Sequence, residues 1–268
     1  MSIWKRLFGS SGSSSSSEPA QTPSTAQLEE AYAKAIQVLQ EHKRIAHIPV
    51  TKSVPSQFSA DSKFGGYPYL RNKEDWPVCP NCSNHMQLFL QLNQEYLPVN
   101  KGKGLVQLFY CTNEEPHCEV DLEAYLPFSK GAVCRIVIPE GDSAIVEPRM
   151  QEVFDENKVV AWKTEDDYPM YDEYDDLGIE LEFEDEVLEL LDQREKCQTV
   201  DGDKLLGWPY WVQGPEYPDD RYSSNRMNVL FQLDSEINLP YMFGDSGIGH
   251  LSQSVDDKNQ LAFGWACY

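Results

Sequence analysis

The feature that most constrains the fold of this chain is a thirty-residue segment that occurs twice, 141 positions apart and without a gap. The first copy is Lys63–Leu92 and the second is Lys204–Leu233. Ten of the thirty positions are identical, and most others exchange similar residues, such as Tyr67 for Trp208. We interpret this as an internal duplication. It predicts two pseudo-symmetric halves that face each other across a groove.

Short apolar runs rich in β-prone residues predict the strands. Met86–Leu92 and Met227–Leu233 are too short for helices and are predicted to be buried strands. Further strands are predicted at Leu105–Tyr110, Arg135–Pro139 and Leu261–Tyr268. The predicted fold class is α+β and mostly antiparallel β. It consists of two pseudo-symmetric β half-domains with flanking helices.

Two segments have the pattern of helices. Ser24–Ile48 starts with the capping-box residues Ser24 and Gln27, has an apolar stripe at helical spacing and is predicted to end before Pro49. We expect this helix to pack on the sheet of the first half. Glu184–Leu191 is predicted to be a second helix.

Composition divides the chain into four predicted segments. Residues 1–23 form a Ser-rich tail that is expected to be flexible. Residues 24–160 hold the first helix and the first β half-domain, 161–200 form an acidic connector, and 201–268 form the second β half-domain. The tail begins with MSIWKRLF, for which the alternative to a frayed end is a weak tether to a membrane surface or a partner.

The chain is strongly acidic, with a formal net charge of −22. Fifteen acidic residues lie between Glu165 and Glu195, where Arg194 is the only basic residue. Such a surface repels phosphate groups, so we expect no binding to nucleic acid and none of the main body to an anionic membrane. A basic protein or peptide partner is favoured. The alternative is a solvated surface that serves solubility.

The sequence predicts a cytoplasmic protein. Its first residues do not resemble a secretory signal, and no apolar run approaches the ~18 residues of a membrane-spanning helix. Seven cysteines in such a chain favour reduced thiols or a metal site over disulfides.

Four cysteines have a spacing that suits one structural Zn²⁺: Cys79, Cys82, Cys111 and Cys118. His85 and His117 are candidate substitutes for one ligand. The alternatives are unliganded thiols and a redox CxxC motif, and the redox alternative is disfavoured because the motif precedes a strand rather than opening a helix. In the second copy Asp220 and Ser223 replace the CxxC cysteines, so the repeated fold does not require them.

Aromatic side chains of the repeat and the acidic connector are the candidate contacts with a partner. They are Tyr67, Tyr69, Trp76, Trp208, Tyr210, Tyr217, Tyr171 and Tyr174. The alternative for each is packing in the core.

No catalytic motif is recognisable in the sequence. There is no P-loop, dinucleotide fingerprint or HExxH. Gly244–Gly247 reads GDSG, like the nucleophile segment of trypsin-like proteases, but a glycine turn explains it better.

The stretches SKFGGYPYL, DWPVCPNC, MQLFLQLN, GLVQLFYC, MFGDSGIGHL and WACY resemble the bacterial YwqG-like family from about Ser53 to Tyr268. This resemblance implies peptide binding and, for some members, an immunity role against secreted toxins. The first half is more distantly similar to the programmed-cell-death-2-like proteins. That similarity implies a zinc-bearing β domain that chaperones a basic ribosomal protein.

The leading hypothesis is a non-enzymatic, cytoplasmic module that holds a basic protein or peptide between the two halves, as a chaperone or an immunity protein does. The alternative is an enzyme with an unrecognised acid/base site in the same groove. A membrane-tethered scaffold is a third hypothesis, which rests on MSIWKRLF alone.

Overall fold

The computed structural model describes residues 23–99, 101–150 and 152–268. Residues 1–22 of the predicted tail, including MSIWKRLF, lie outside the described residues. No helix in the described ranges is long and apolar enough to cross a membrane.

The described residues form ten strands and a few short helices. The strands are β1 Arg44–Val54, β2 Lys63–Phe64, β3 Gln87–Asn93, β4 Leu105–Tyr110, β5 Ala132–Val137, β6 Glu156–Asp167, β7 Lys204–Leu206, β8 Asn228–Asp234, β9 Ile248–Gln253 and β10 Leu261–Ala266. The helices are α1 Thr25–Glu41, α2 Cys118–Asp121, α3 Tyr174–Leu177 and α4 Glu184–Gln193, with 3-10 turns at Lys73–Asp75, Gln94–Tyr96 and Tyr171–Glu173. The prediction of a mostly antiparallel β fold with few helices is confirmed.

All ten strands belong to one antiparallel sheet in the order β10-β9-β8-β7-β1-β6-β2-β3-β4-β5. The two end strands approach each other, so the sheet nearly closes into a barrel. At this seam, the backbone N–H of Trp265 in β10 donates to the Tyr125 carbonyl in the loop before β5 (3.1 Å), and the Trp265 indole donates to the Tyr110 hydroxyl (2.8 Å). The barrel interior holds the main apolar core, in which Phe64 and Phe231 meet edge to face.

The first strand set, β2 to β5, and the second strand set, β7 to β10, have the same register. Lys63 lies opposite Gln91 in the first, and Lys204 lies opposite Gln232 in the second. A bulge follows at matching positions of β3 and β8. The long pair β1 and β6 lies between the two sets.

The repeated lysine of each copy is buried in an ion pair. Lys63 Nζ lies 3.0 Å from Glu156, and Lys204 Nζ lies 3.0 Å from Asp167, with all four side chains at most 2% exposed. Each lysine also donates to a backbone carbonyl, of Gln57 or Val200. The two carboxylates lie at the two ends of β6, so this strand joins both sets.

The repeated glycine lies against the same carboxylates. Gly66 and Gly207 have φ of 69° and 80°, a left-handed backbone conformation that favours glycine. A Cβ at Gly66 would lie 2.6 Å from the Glu156 carboxylate, and one at Gly207 would lie 2.1 Å from the Asp167 carboxylate. Backbone conformation and space therefore both require glycine at these positions.

The prediction of one helix over Ser24–Ile48 is wrong in its second part. The capping box of Ser24 and Gln27 is present, but α1 ends at Glu41 and β1 begins at Arg44. Pro49 lies inside β1, beyond the residues that pair with β7, where β1 pairs on one side only. A proline without an N–H is tolerated there.

The sequence did not predict β6, which runs across the segment boundary drawn between 160 and 161. Most of its side chains are at least partly exposed and do not alternate cleanly, so it lacks the period-2 signal of a half-buried strand. The acidic segment after it contains α3 and α4. α4 packs against α1 in a separate small core that includes Tyr32, Leu39 and Val187.

Candidate functional site

Four cysteines lie close enough together to hold one metal ion. The Sγ atoms of Cys79, Cys82, Cys111 and Cys118 all lie within 4.8 Å of one another, and those of Cys82 and Cys111 are 3.7 Å apart. A tetrahedral Zn²⁺ with Zn–S bonds of ~2.3 Å places its sulfurs ~3.8 Å apart. The cluster therefore fits the predicted metal. Because four thiolates complete a tetrahedral shell, such an ion would have no open position for catalysis.

Three pieces of chain position these thiols. Cys79 and Cys82 lie in a turn before β3 that closes through hydrogen bonds from Cys79 N to Asn84 O (2.8 Å) and from Ser83 N to Cys79 O (3.0 Å). Cys111 directly follows β4, and Cys118 is the first residue of α2. A metal here would tie the β2–β3 connection to the β4–β5 connection.

Three of the four thiols have pKa values that their surroundings shift in different directions. Burial raises the pKa of Cys111, and it raises that of Cys118 to about 11. Burial opposes ionisation of Cys79 too, but hydrogen bonds from the backbone of Cys82 and Asn81 lower its pKa overall. A divalent cation would compensate the charge of all four thiolates, so metal binding would release protons.

The two histidines considered as substitute ligands are not part of this cluster. His85 stacks on Trp76 with ring centroids 4.9 Å apart, and its Nδ1 accepts from the Arg149 backbone N–H (3.0 Å). His117 is the residue before α2. Asn81 instead supports the cluster from outside, because its amide donates to Cys118 Sγ (3.5 Å) and Asp121 (2.9 Å).

The second strand set has a hydrogen-bonded polar cluster where the first has thiols. Asp220, at the position of Cys79, accepts from the backbone N–H groups of Tyr222 (2.7 Å) and Ser223 (3.0 Å), and from the side chains of Ser254 and Gln260. The hydrogen bond from Ser254, followed by those from the backbone and Gln260, lowers the pKa of Asp220 to about 2. Ser254 directly follows β9, as Cys111 follows β4. Hydrogen bonds thus join the same connections that the cysteines join in the first set.

Most of the aromatic residues predicted to contact a partner lie partly or fully inside the protein. Tyr69, Trp76, Trp208 and Tyr174 are buried, and Tyr67, Tyr210 and Tyr217 are half-buried. Tyr171 is 45% exposed, and its hydroxyl donates to Glu184 (2.8 Å). The structure brings Trp208 and Tyr217 to one small cavity of about 170 Å³ but does not gather all eight.

The buried carboxylate of Glu173 organises the aromatic residues near that cavity, a role that the sequence did not indicate. It accepts from the Trp211 indole and the Tyr217 hydroxyl, both at 2.6 Å. Two guanidinium groups cover the adjacent rings, that of Arg44 over Trp208 at 3.4 Å and that of Arg226 over Tyr217 at 3.7 Å. These rings have packing partners on several sides.

The acidic segment Glu165–Glu195 presents an exposed carboxylate surface, which we call the acidic surface. Of its fifteen acidic residues, thirteen are exposed, and only Asp167 and Glu173 are buried. Three of the thirteen pair with a cation, namely Asp166, Asp176 and Glu182. The other ten have no ion-pair partner in the described part of the chain: Glu165, Asp172, Asp175, Glu180, Glu184, Asp185, Glu186, Glu189, Asp192 and Glu195.

Two cavities flank the loop of residues 122–131, which lies between α2 and β5 and covers the barrel seam. We call this loop the seam loop. One of about 420 Å³ lies between this loop and Arg221. The other, of about 620 Å³, lies between Leu126, the 213–218 loop, and the outer face of β9 and β10, where His250 and Ser252 line it. The sequence did not indicate either cavity, because they form between segments that are remote along the chain.

The comparisons with known proteins agree with an uncharacterised family. No curated protein matches the chain. The family described as "Domain of unknown function (DUF1963)" matches residues 62–268, from β2 to the last residue, and the matched range includes both strand sets and all four clustered cysteines. The chain therefore belongs to the DUF1963 family.

Proposed function

We propose that this protein is a non-enzymatic, cytoplasmic binding module that holds a basic protein or peptide, in a chaperone-like or toxin-neutralising role. The observation that carries the proposal is the acidic surface, with ten exposed carboxylates that have no ion-pair partner among the described residues. The resemblance to YwqG-like proteins is consistent with this role.

Like charges on one face cost free energy unless something compensates them. The carboxylates of the acidic surface lie within one segment of about thirty residues, so their fields add and attract cations from outside the chain. A surface that serves only solubility does not need so many carboxylates within one short segment. A partner rich in Lys and Arg would gain from this field in association rate and in specificity.

Aromatic contact area at this surface is supplied by Tyr171, whose ring meets that of Tyr174 edge to face at 5.6 Å. The ring of Tyr171 is held in place by this contact and by the hydroxyl bond to Glu184. A pre-positioned ring loses little entropy when a partner covers it. Of the eight predicted aromatic contacts, Tyr171 is the one best placed for this role.

Zn²⁺ has a structural part in the proposal. Bound by Cys79, Cys82, Cys111 and Cys118, it would hold the outer connections of the first strand set. The polar cluster around Asp220 does the same in the second set without metal. We assign both strand sets to an ancestral duplication, which the matching register supports.

The test is retrieval of a partner by the tagged full chain at about 50 mM salt and its release at about 500 mM, followed by measurement of affinity with the purified partner. The partner is expected to be basic. The variant Glu189→Gln/Asp192→Asn/Glu195→Gln removes three charges at the C-terminal end of α4. Acids there oppose the helix dipole, so their loss does not weaken the helix. At ~0.5–1 kcal/mol per charge, affinity should fall about tenfold to a hundredfold.

The matched control is Glu140→Gln/Asp142→Asn/Glu147→Gln, which changes the net charge equally at exposed positions outside the acidic surface. This variant should bind within about twofold of the unmodified chain. An acidic partner, or equal losses in both variants, would contradict a specific role for the acidic surface. Turnover of a small molecule would favour the enzyme hypothesis instead.

A further inference from the structure

We propose that the cavity between the seam loop and the outer face of β9 and β10 is a binding site for a small organic molecule that has an aromatic or apolar body, an N–H or O–H donor and no negative charge. We call it the seam cavity. It is lined by His250, Ser252, Trp265 and the loops around Leu126 and Tyr217, and its volume is about 620 Å³. Cavities of ~300–1,000 Å³ with a few convergent polar groups are typical of small-molecule sites.

Two residues that line the seam cavity each have a buried polar atom with no hydrogen-bond partner among the described residues. The two atoms are Nε2 of His250 and Oγ of Ser252. Ser252 is fully buried, and Nε2 is buried although His250 as a whole residue is only half-buried. Leaving such groups unpaired costs free energy, which a ligand with complementary groups would recover.

The orientation of His250 shows which atom a ligand would meet. Its ring lies 4.6 Å from that of Trp211, and the backbone of Tyr210 acts on it as a hydrogen-bond acceptor that opposes the larger effect of burial on its pKa. With Nε2 unpartnered, we assign that interaction to Nδ1–H, so that the neutral ring has its lone pair at Nε2. Nε2 therefore accepts a hydrogen bond, and a ligand must supply the donor.

The first strand set fills the equivalent space with protein atoms. Gln107 lies opposite Gln91, as His250 lies opposite Gln232, and its amide likewise donates to a tyrosine carbonyl (2.8 Å). Its Oε1, however, accepts from the Arg135 guanidinium (2.9 Å). Arg135 lies opposite Gln107 in β5, and the residue opposite His250 in β10 is Gly264.

A second difference between the two strand sets enlarges the seam cavity. Phe109 is buried two residues beyond Gln107, and Ser252 lies two residues beyond His250. The second strand set thus lacks both large side chains that fill this face in the first. Gly264 also lets the seam loop approach, since a Cβ there would lie 3.0 Å from the Tyr125 carbonyl oxygen. The loop covers the hollow rather than filling it.

The charge of the lining selects against anions. Among the described residues that line the seam cavity there is no Lys or Arg, and the one charged residue is Glu216, which lies exposed near Gln213. Tyr125, Tyr217 and Trp265 are among the residues that line the cavity, and aromatic lining residues favour a planar ligand. Indole and tryptamine fit this description, and indole-3-acetate is the matched anionic probe.

The test is titration of the full chain with these three probes, followed by ligand-observed NMR and by the side-chain ¹⁵N resonance of His250 Nε2. Indole and tryptamine should bind and shift this resonance in the direction of an accepted hydrogen bond. Indole-3-acetate should bind at least about tenfold more weakly. Ser252→Phe restores the large residue of the first strand set and should abolish binding.

Ser224→Phe makes the same change at an exposed position outside the cavity and should leave binding unchanged. Thermal melting establishes that both variants are folded. If Ser252→Phe does not fold, the His250 resonance of the unmodified chain still decides. Absence of binding by all probes at about 1 mM would mean that the cavity holds only water. That result, or binding that survives Ser252→Phe, would overturn the proposal.

Discussion

Replacing Lys204 by Met should destabilise the protein far more than replacing Lys43 by Met. Both lysines lie 3.0 Å from a carboxylate oxygen, and the two carboxylates, Asp167 and Asp166, are adjacent in the sequence. The pairs differ in burial. Lys204 and Asp167 are 1% and 0% exposed, whereas Lys43 and Asp166 are 36% and 53% exposed. The two ion pairs therefore differ in burial at the same distance, and Lys204→Met also removes the hydrogen bond to the Val200 carbonyl.

The magnitude follows from what each substitution leaves behind. Without Lys204, the Asp167 carboxylate keeps the backbone N–H groups of Val200 and Trp208, both at 2.8 Å, but loses its counter-charge. Stranding a buried charge costs ~3–5 kcal/mol, whereas an exposed pair contributes ~0.2–1 kcal/mol. Against a total stability of ~5–15 kcal/mol, only the first loss is large.

The measurement is urea denaturation of the unmodified chain and both variants. Lys204→Met should lower the transition midpoint several times more than Lys43→Met, with little change in m-value. The double variant Lys204→Met/Asp167→Asn should be less destabilised than Lys204→Met, since it removes the stranded charge. Equal effects of Lys204→Met and Lys43→Met, or a double variant less stable than the single, would refute the reasoning.

Three further predictions concern the metal cluster, its polar counterpart and His250. Elemental analysis should give about one zinc per chain. The zinc should be lost in Cys79→Ser and kept in the control Cys197→Ser, because Cys197 lies outside the cluster. A protein without zinc whose clustered thiols react freely would contradict this prediction. Asp220→Ala should lower the melting temperature with no change in zinc content, because it removes four hydrogen bonds from the second strand set; a changed metal content would count against the assignment. Burial, followed by the charge of Lys204, lowers the pKa of His250 from 6.5 to about 3. Between pH 6.5 and pH 3 the imidazole is therefore protonated in the unfolded chain but neutral in the folded protein. The free energy of unfolding consequently falls as the pH drops through this range. Between pH 7 and pH 5 the unmodified chain should therefore lose ~2 kcal/mol more than His250→Gln, and equal losses in denaturant titrations would contradict the assigned burial.

Much of the fold could be predicted where the local pattern matched the tertiary role. β3 and β8 are nearly continuous apolar runs that contribute to the core, and they lie within one residue of their predicted limits. The cysteines were predicted from spacing, because metal ligation imposes a pattern that tertiary packing does not alter.

The central strand pair could not be predicted because neither strand has a simple environment. β1 follows α1 after only two residues, and Pro49 within it resembles a helix terminator. β6 ends in acidic residues and merges in composition with the acidic surface. In both strands, pairing with distant segments overrides the local signal.

The seam cavity could not be predicted for a different reason, since it arises from what the second strand set lacks. The gapless repeat ends at Leu92 and Leu233, before β4 and β9. Only the strand pairing aligns Gln107 with His250 and Arg135 with Gly264. Until that alignment is known, a glycine in the last strand indicates nothing about a cavity.

We therefore infer that the two strand sets of the barrel have different roles. The first has a filled outer face, with Phe109 and Arg135 packed over the sheet, and connections that a metal would tie together. The second ties its connections by hydrogen bonds to Asp220 and leaves its outer face hollow at Gly264. A hollow face costs stability, because its lining forgoes packing and hydrogen bonds. One filled strand set and one hollow strand set are the asymmetry expected if one set stabilises the barrel and the other binds a ligand.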